Sequence, residues 1–289
     1  MRNLIFLVSF LLLTSCQELD ILGLIIPCQY DAEERFHQSM ACNERLGDLV
    51  LELSHDGYHI NVAGDIHVVD ETARLDSFLF LTRQDSLTAC NLFLGDIVSV
   101  NEAYPLVYER LQEHYRQGGD TVFTIAGNHE LYYNGWPLYL KYFGSSIYTV
   151  SLRTPEAQDL IICLESTTST LGKYQNEWLL HVLKEIRPQY RYCIVATHAN
   201  FFDTDNSNLF GSNPPVNEVL RLTDLFQTYH VDACLQAHDH RAEYLYFKGV
   251  RYVQTNPLKM GAEPHGYLQI KADAEDLKIE IVDHLRPRV

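Results

Sequence analysis

Positive charge is what this sequence has least of. Its 289 residues include 22 Lys and Arg against 38 Asp and Glu, a formal net charge of -16 at pH 7. Non-specific attraction to nucleic acid or anionic lipid needs a basic face, so long nucleic acid is disfavoured as a partner. Small nucleotides stay open, because bound divalent ions would reverse the sign of the field locally. Cys-x-x-Cys spacing is absent as well, which removes the usual signature of a zinc knot. There is no internal repeat and no low-complexity tract. What is present is ordinary for a globular chain with a substantial core: 46% hydrophobic and 21% charged residues.

The longest apolar run, from Leu4 to Leu13, is broken only by Ser9 and falls short of the ~20 residues a spanning helix needs. With Arg2 before it and small residues after it, it reads as a secretory signal. The ending Leu13-Thr14-Ser15-Cys16 resembles a bacterial lipobox. That implies removal of residues 1–15, lipidation of Cys16, and membrane attachment through that anchor in the bacterial cell envelope, periplasmic or surface. A plain signal peptide cut nearby is the alternative. Residues 16–57 read as a tether and lead-in, and 58–289 as the folded domain. Cys90, Cys163, Cys193 and Cys234 sit in apolar, strand-like runs and are expected as buried thiols. Cys28 and Cys42 lie in the irregular N-terminal stretch, where an exported compartment would permit but does not require pairing.

From Tyr58 onward short apolar runs end repeatedly in polar residues of ligand type. Residues 58–63 lead into Gly64-Asp65-Ile66-His67, 91–94 into Gly95-Asp96, and 121–126 into Gly127-Asn128-His129-Glu130. Residues 192–197 lead into His198, and 231–236 into Ala237-His238-Asp239-His240. Runs of this length and composition predict strands buried on both faces. Helical spacing falls between several of them, over 74–87, 101–117, 176–186 and 216–229. Alternating strands and helices predict an α/β sheet. Past His240 the tail turns β-rich, with short strands expected over 242–247, 250–255, 266–270 and 277–282.

In open α/β sheets ligands sit beyond the carboxyl ends of strands. Any one of these residues alone reads more simply as a helix cap or a satisfied packing group. Five strand ends, each delivering a metal-type donor, do not reduce to that. On an extended strand, alternation would put Asp65 and His67 on one side, and His238 and His240 likewise.

The order Asp-x-His, Gly-Asp, Gly-Asn-His-Glu, His, His-x-His resembles the calcineurin-like metallophosphoesterase superfamily over roughly residues 58–257. The resemblance implies a two-sheet α/β/β/α sandwich. It implies two divalent metal ions (Mn, Fe, Zn or Ni), one held by Asp65, His67 and His240 and the other by Asn128, His198 and His238, with Asp96 bridging. The donor types suit such borderline ions. The implied activity is hydrolysis of phosphomonoesters or phosphodiesters by metal-activated water on a small phosphorylated substrate, with His129 donating a proton to the leaving group.

The sequence departs from that family in places. Ser99 stands where many members carry the acidic residue that orients the catalytic histidine, and only Glu102 and Asp70 offer themselves instead. Val100 replaces the phosphate-clamping Arg of the protein-phosphatase branch, which argues against a phosphoprotein substrate. Ile97, Val98 and Ser99 supply no Tyr ligand of the purple acid phosphatase kind. Ala237 replaces the usual Gly before the histidine pair. The aromatics Tyr132, Tyr133, Trp136, Tyr139, Tyr142 and Phe143 could form a substrate wall, although core packing is the plainer reading. A long polar loop after Phe202 has the length of a lid. The competing assignment keeps the fold but loses the chemistry: a catalytically silent, metal-bearing scaffold on the envelope.

Overall fold

The structure, a computed structural model, describes residues 29–202, 214–283 and 285. Cys16, Cys28 and the loop over 203–213 lie outside the described residues. Among the described residues, twelve strands form two sheets. The first runs in the order β1 (Leu49–Glu52), β5 (Tyr148–Arg153), β6 (Gln158–Cys163), β7 (Cys193–Ala196), β8 (Ala233–Gln236), β10 (Val250–Gln254), β9 (Glu243–Phe247). The second runs β12 (Leu277–Asp283), β11 (Gly266–Ala272), β2 (Tyr58–Ala63), β3 (Thr88–Phe93), β4 (Thr121–Thr124).

The two-residue period of a strand explains the layering. Ile60, Val62, Cys90, Leu92, Val150, Ile161, Cys163, Ile194 and Leu235 point inward between the sheets. Alternate residues point outward and are covered by helices. On the second sheet Ala63 and Phe93 meet α2 (Ala73–Arg83), α3 (Tyr104–Arg116) and α4 (Trp136–Tyr142) through Phe78, Val107 and Tyr139. On the first sheet Leu160, Ile162, Val195 and Cys234 meet α5 (Gly172–His181) and α6 (Val216–Thr228) through Leu179, Leu222 and Phe226. The result is the expected α/β/β/α sandwich. All four strand cysteines are buried free thiols, as is Cys42. Trp136 and Tyr139 are fully buried and stacked at 5.5 Å, so this part of the aromatic cluster is core. No helix among the described residues is long and apolar enough to cross a membrane.

The stretch read as tether and lead-in contains more than a connection. Residues Ala32–Leu46 form a helix, α1, opened by a capping box between Asp31 and Glu34. Strand β1 then pairs in parallel with β5 as the sheet edge. Strands β5 and β6 also belong to the first sheet, deliver no residue to either group of candidate metal donors, and are passed over by the strand-end pattern.

Candidate metal centre

Strands β2, β3, β4, β7 and β8 end at the same edge of the sandwich, and their loops converge there. The loops are tightly nested. A Cβ on Gly127 would lie 2.2 Å from Asp96 Oδ1 and 2.8 Å from His198 Cε1, so only glycine permits the approach. A Cβ on Gly64 would meet the Ala237 methyl at 2.6 Å. The Ala237 side chain therefore occupies room that a glycine opposite leaves free.

Asp65, His67, Asp96 and His240 bring one donor atom each within 4.8 Å of one another, and Asp96, His198 and His238 do the same. In the first group His67 Nε2 lies 3.0 Å from His240 Nε2 and 3.6 Å from Asp96 Oδ2, while His240 Nε2 lies 3.8 Å from Asp65 Oδ1. In the second, His198 Nε2 lies 3.0 Å from Asn128 Oδ1, 3.1 Å from His238 Nδ1 and 3.5 Å from Asp96 Oδ1. Donors about 2.1 Å from one ion are separated by roughly 3.0–3.4 Å along the edges of an octahedron or tetrahedron. Asp96 turns one oxygen to each group.

The hydrogen bonds around these atoms test whether a cation fits. His198 Nδ1 faces the Leu94 carbonyl at 2.7 Å and so carries the proton, which leaves a lone pair on Nε2. Asn128 donates its Nδ2 to Tyr132 Oη at 2.8 Å, with its Oδ1 the atom toward His198. Two lone pairs thus face each other at 3.0 Å. A shared cation makes that arrangement favourable.

Electrostatics point the same way. Burial lowers all four histidines His67, His198, His238 and His240, with His238 and His240 pulled down to about 4. At neutral pH they are unprotonated donors. Burial and the Asp96 charge push the Asp65 carboxyl up. Burial also opposes the charge on Asp96, but His198, His129, His67 and His238 outweigh it and hold that carboxyl below its ordinary value.

The backbone carries strain here. Asp65, His67, Asp96, His238 and His240 all adopt left-handed φ angles, between 50° and 83°. Such conformations cost on the order of 1–3 kcal/mol each for non-glycine residues and collect at functional sites. They correct the alternation argument twice. Asp65 and His67 share a side because both turn left-handed past the strand, not because an extended strand alternates. His238 and His240 do not share a side: they part, one to each group.

His129 lies beside the first group, its ring centroid 4.5 Å from His67 and 4.7 Å from Tyr132. Its Nδ1 is buried without a hydrogen-bond partner, and neither Asp70 nor Glu102 reaches it. Ser99 has another task, with its hydroxyl 3.3 Å from His67 Nδ1. Tyr132 is the one aromatic of the cluster that works at the site, through Asn128 and His129. Sequence reasoning assigns no role to Glu130. Its fully buried carboxylate accepts the backbone N–H groups of Asp96, Ile97, Val98 and Gly127 at 2.7–3.2 Å. Burial and the Asp96 charge nonetheless push this carboxyl up to about 8. Glu130 thereby clamps the Asp96 loop to the Asn128 loop. The cavity of about 490 Å³ lined by Phe80, Arg83 and Arg110 contains none of these residues.

A model of the calcineurin-like phosphoesterase family matches residues 58–242. No curated protein matches in sequence. Among solved structures, a dimetal phosphatase from Danio rerio is similar at TM-score 0.61 and 12% identity, over 77% of this chain and 95% of that one. A purple acid phosphatase from yellow lupin seeds is similar at 0.58 and 14%, over 78% and 51%. GAP50, the anchor in the inner membrane complex of Plasmodium, is similar at 0.58 and 13%, over 78% and 84%. At these identities the likeness concerns the fold.

Proposed function

The chain belongs to the calcineurin-like phosphoesterase family, and from that premise we propose that it hydrolyses small phosphate esters with a two-metal centre. Asp65, His67 and His240 would hold one divalent ion, Asn128, His198 and His238 the other, and Asp96 both. The observation that carries the reading is the opposition of His198 Nε2 and Asn128 Oδ1 at 3.0 Å, beside an Asp96 carboxylate with one oxygen toward each donor group. The ions, when bound, would activate water at neutral pH and neutralise the phosphoryl oxygens.

The protein's own part is orientation and proton transfer. Leu94 fixes which nitrogen of His198 faces inward, and Tyr132 holds the Asn128 amide by a hydrogen bond to its Nδ2. His129 would give its proton to the leaving oxygen from Nε2, the ring nitrogen that the protein does not enclose. We read the chain as an envelope protein held by lipid on Cys16. Replacing Cys16 with Ala should move it from the membrane to the soluble fraction, and persistence in the membrane would contradict the anchor.

The deciding assay is Mn-loaded protein on p-nitrophenyl phosphate and bis-p-nitrophenyl phosphate. Turnover of either supports the hydrolase, and the ratio separates monoesterase from diesterase. Two bound ions with no turnover of either would favour the silent scaffold; the Plasmodium neighbour is itself named an anchor. The complete donor set and His129 argue against that outcome.

A further inference from the structure

Helix α1 precedes the segment matched by the family model, yet it sends a fully buried arginine into the domain. Arg35 Nε donates to Glu165 Oε2 at 3.0 Å, one terminal nitrogen donates to the Tyr30 carbonyl at 2.7 Å, and the other to Thr168 Oγ1 at 2.8 Å. The other oxygen of Glu165 accepts the Thr167 N–H at 2.8 Å and the Thr167 hydroxyl. Glu33, also on α1, accepts the backbone N–H groups of Lys173 and Tyr174 at the start of α5. From α5, Gln175 exchanges two hydrogen bonds with the Glu165 backbone, each 2.8 Å long. The turn after β6 is therefore gripped from both sides by elements that contact no ligand.

That turn presents Ser166 to the second donor group. The Ser166 hydroxyl accepts the backbone N–H of His198 at 3.1 Å and that of Ala199 at 3.0 Å, and shares a hydrogen bond with the Thr197 hydroxyl at 2.7 Å. Three consecutive residues around His198 hang on one oxygen. None of the hydrogen bonds that hold Asp65, His67 or His240 runs through this turn.

We propose that Arg35, Glu165 and Ser166 are positioning residues for one metal ion only, the ion at Asn128, His198 and His238, so that the N-terminal helix sets the affinity of that half of the centre. The proposal rests on the two-metal reading of the site. Its chemistry is that of outer-sphere support. A ligand whose backbone is released samples other orientations, and loss of such support weakens metal binding on the order of 10- to 100-fold.

The test is calorimetric titration of metal-free full chain with Mn or Zn, for wild type, Ser166→Ala, and Arg35→Met combined with Glu165→Gln, which leaves no lone buried charge. His240→Ala and His238→Ala label the two binding steps. The expected result is that the step lost in His238→Ala weakens on the order of 10- to 100-fold in Ser166→Ala and in the paired variant, while the other step is unchanged. Excess metal should then restore turnover. Cooperative thermal melting checks folding. If the paired variant does not fold, Ser166→Ala, which removes a single oxygen, decides alone. Equal weakening of both steps, or no weakening of either, overturns the proposal. A wild type that binds fewer than two ions would instead overturn the reading of the site and the proposal with it.

Discussion

The two donor groups of the candidate metal centre, its strained half and its braced half, are built differently. The half formed by Asp65, His67 and His240 stands on left-handed backbone, with φ of 50°, 51° and 56°. Its outer member, His240, has a side chain 40% exposed, and among the described residues its one polar side-chain support is the long contact from Ser99. The half formed by Asn128, His198 and His238 has a fully buried histidine with its proton fixed on a carbonyl, an amide fixed on Tyr132, and a serine behind the strand end. Strained backbone occurs in both halves, since His238 has φ of 83°, but only the second half is also braced from behind by a serine and a tyrosine from elsewhere in the fold.

Asp96 is where the two designs meet, so its loss should erase the difference. Asp96→Asn is expected to abolish tight binding of both ions and lower turnover on the order of 10³-fold, equivalent to several kcal/mol. Metal analysis by mass spectrometry showing one retained ion would break the symmetry claimed for this residue. His129→Ala should leave both halves occupied and cost about 10²-fold in turnover, the lower end for a general acid. Loss of metal in step with activity would make His129 a ligand.

Smaller effects sharpen the contrast. Tyr132→Phe removes the acceptor for Asn128 and should weaken the braced half about tenfold, whereas Ser99→Ala should weaken the strained half by less. Competition with a chromophoric chelator resolves the order. Proton linkage should treat the halves alike, because His238 and His240 are both lowered to about 4. In the unfolded chain each takes a proton near pH ~6.5. The unfolded state then binds more protons between those values, so the metal-free protein loses stability as pH falls from about 6.5 toward 4. A His238→Gln/His240→Gln protein should show a shallower decline in melting temperature over that interval. An unchanged slope would place the linkage in other groups.

The ligand-bearing strands are legible in the sequence because each run of buried aliphatics stops at a donor, and a sheet can satisfy both features only with strand ends in a common crevice. The sandwich is legible from the family pattern and from two-faced burial. Strands β5 and β6 escape that reading because neither ends in a residue of the Asp, Asn and His pattern that marks the others. Helix α1 reads as tether because its burial depends on Arg35, whose partner is remote in sequence. Nothing local reveals that Glu165, far along the chain, is its partner. Glu130 escapes for a related reason: the groups it binds are backbone amides, which leave no trace in a sequence.

The contact between Gly64 and Ala237 has a consequence of its own. Those residues bring two loops, one from each sheet, to a separation that admits a single methyl group, and the chain has put it on Ala237, beyond β8 of the first sheet. Moving it across, by Gly64→Ala together with Ala237→Gly, keeps the volume of that seam constant, and only Thr255 Cγ2, 3.1 Å from the new carbon, needs to give way. Gly64→Ala alone would wedge the loops apart and spread the two donor groups with them.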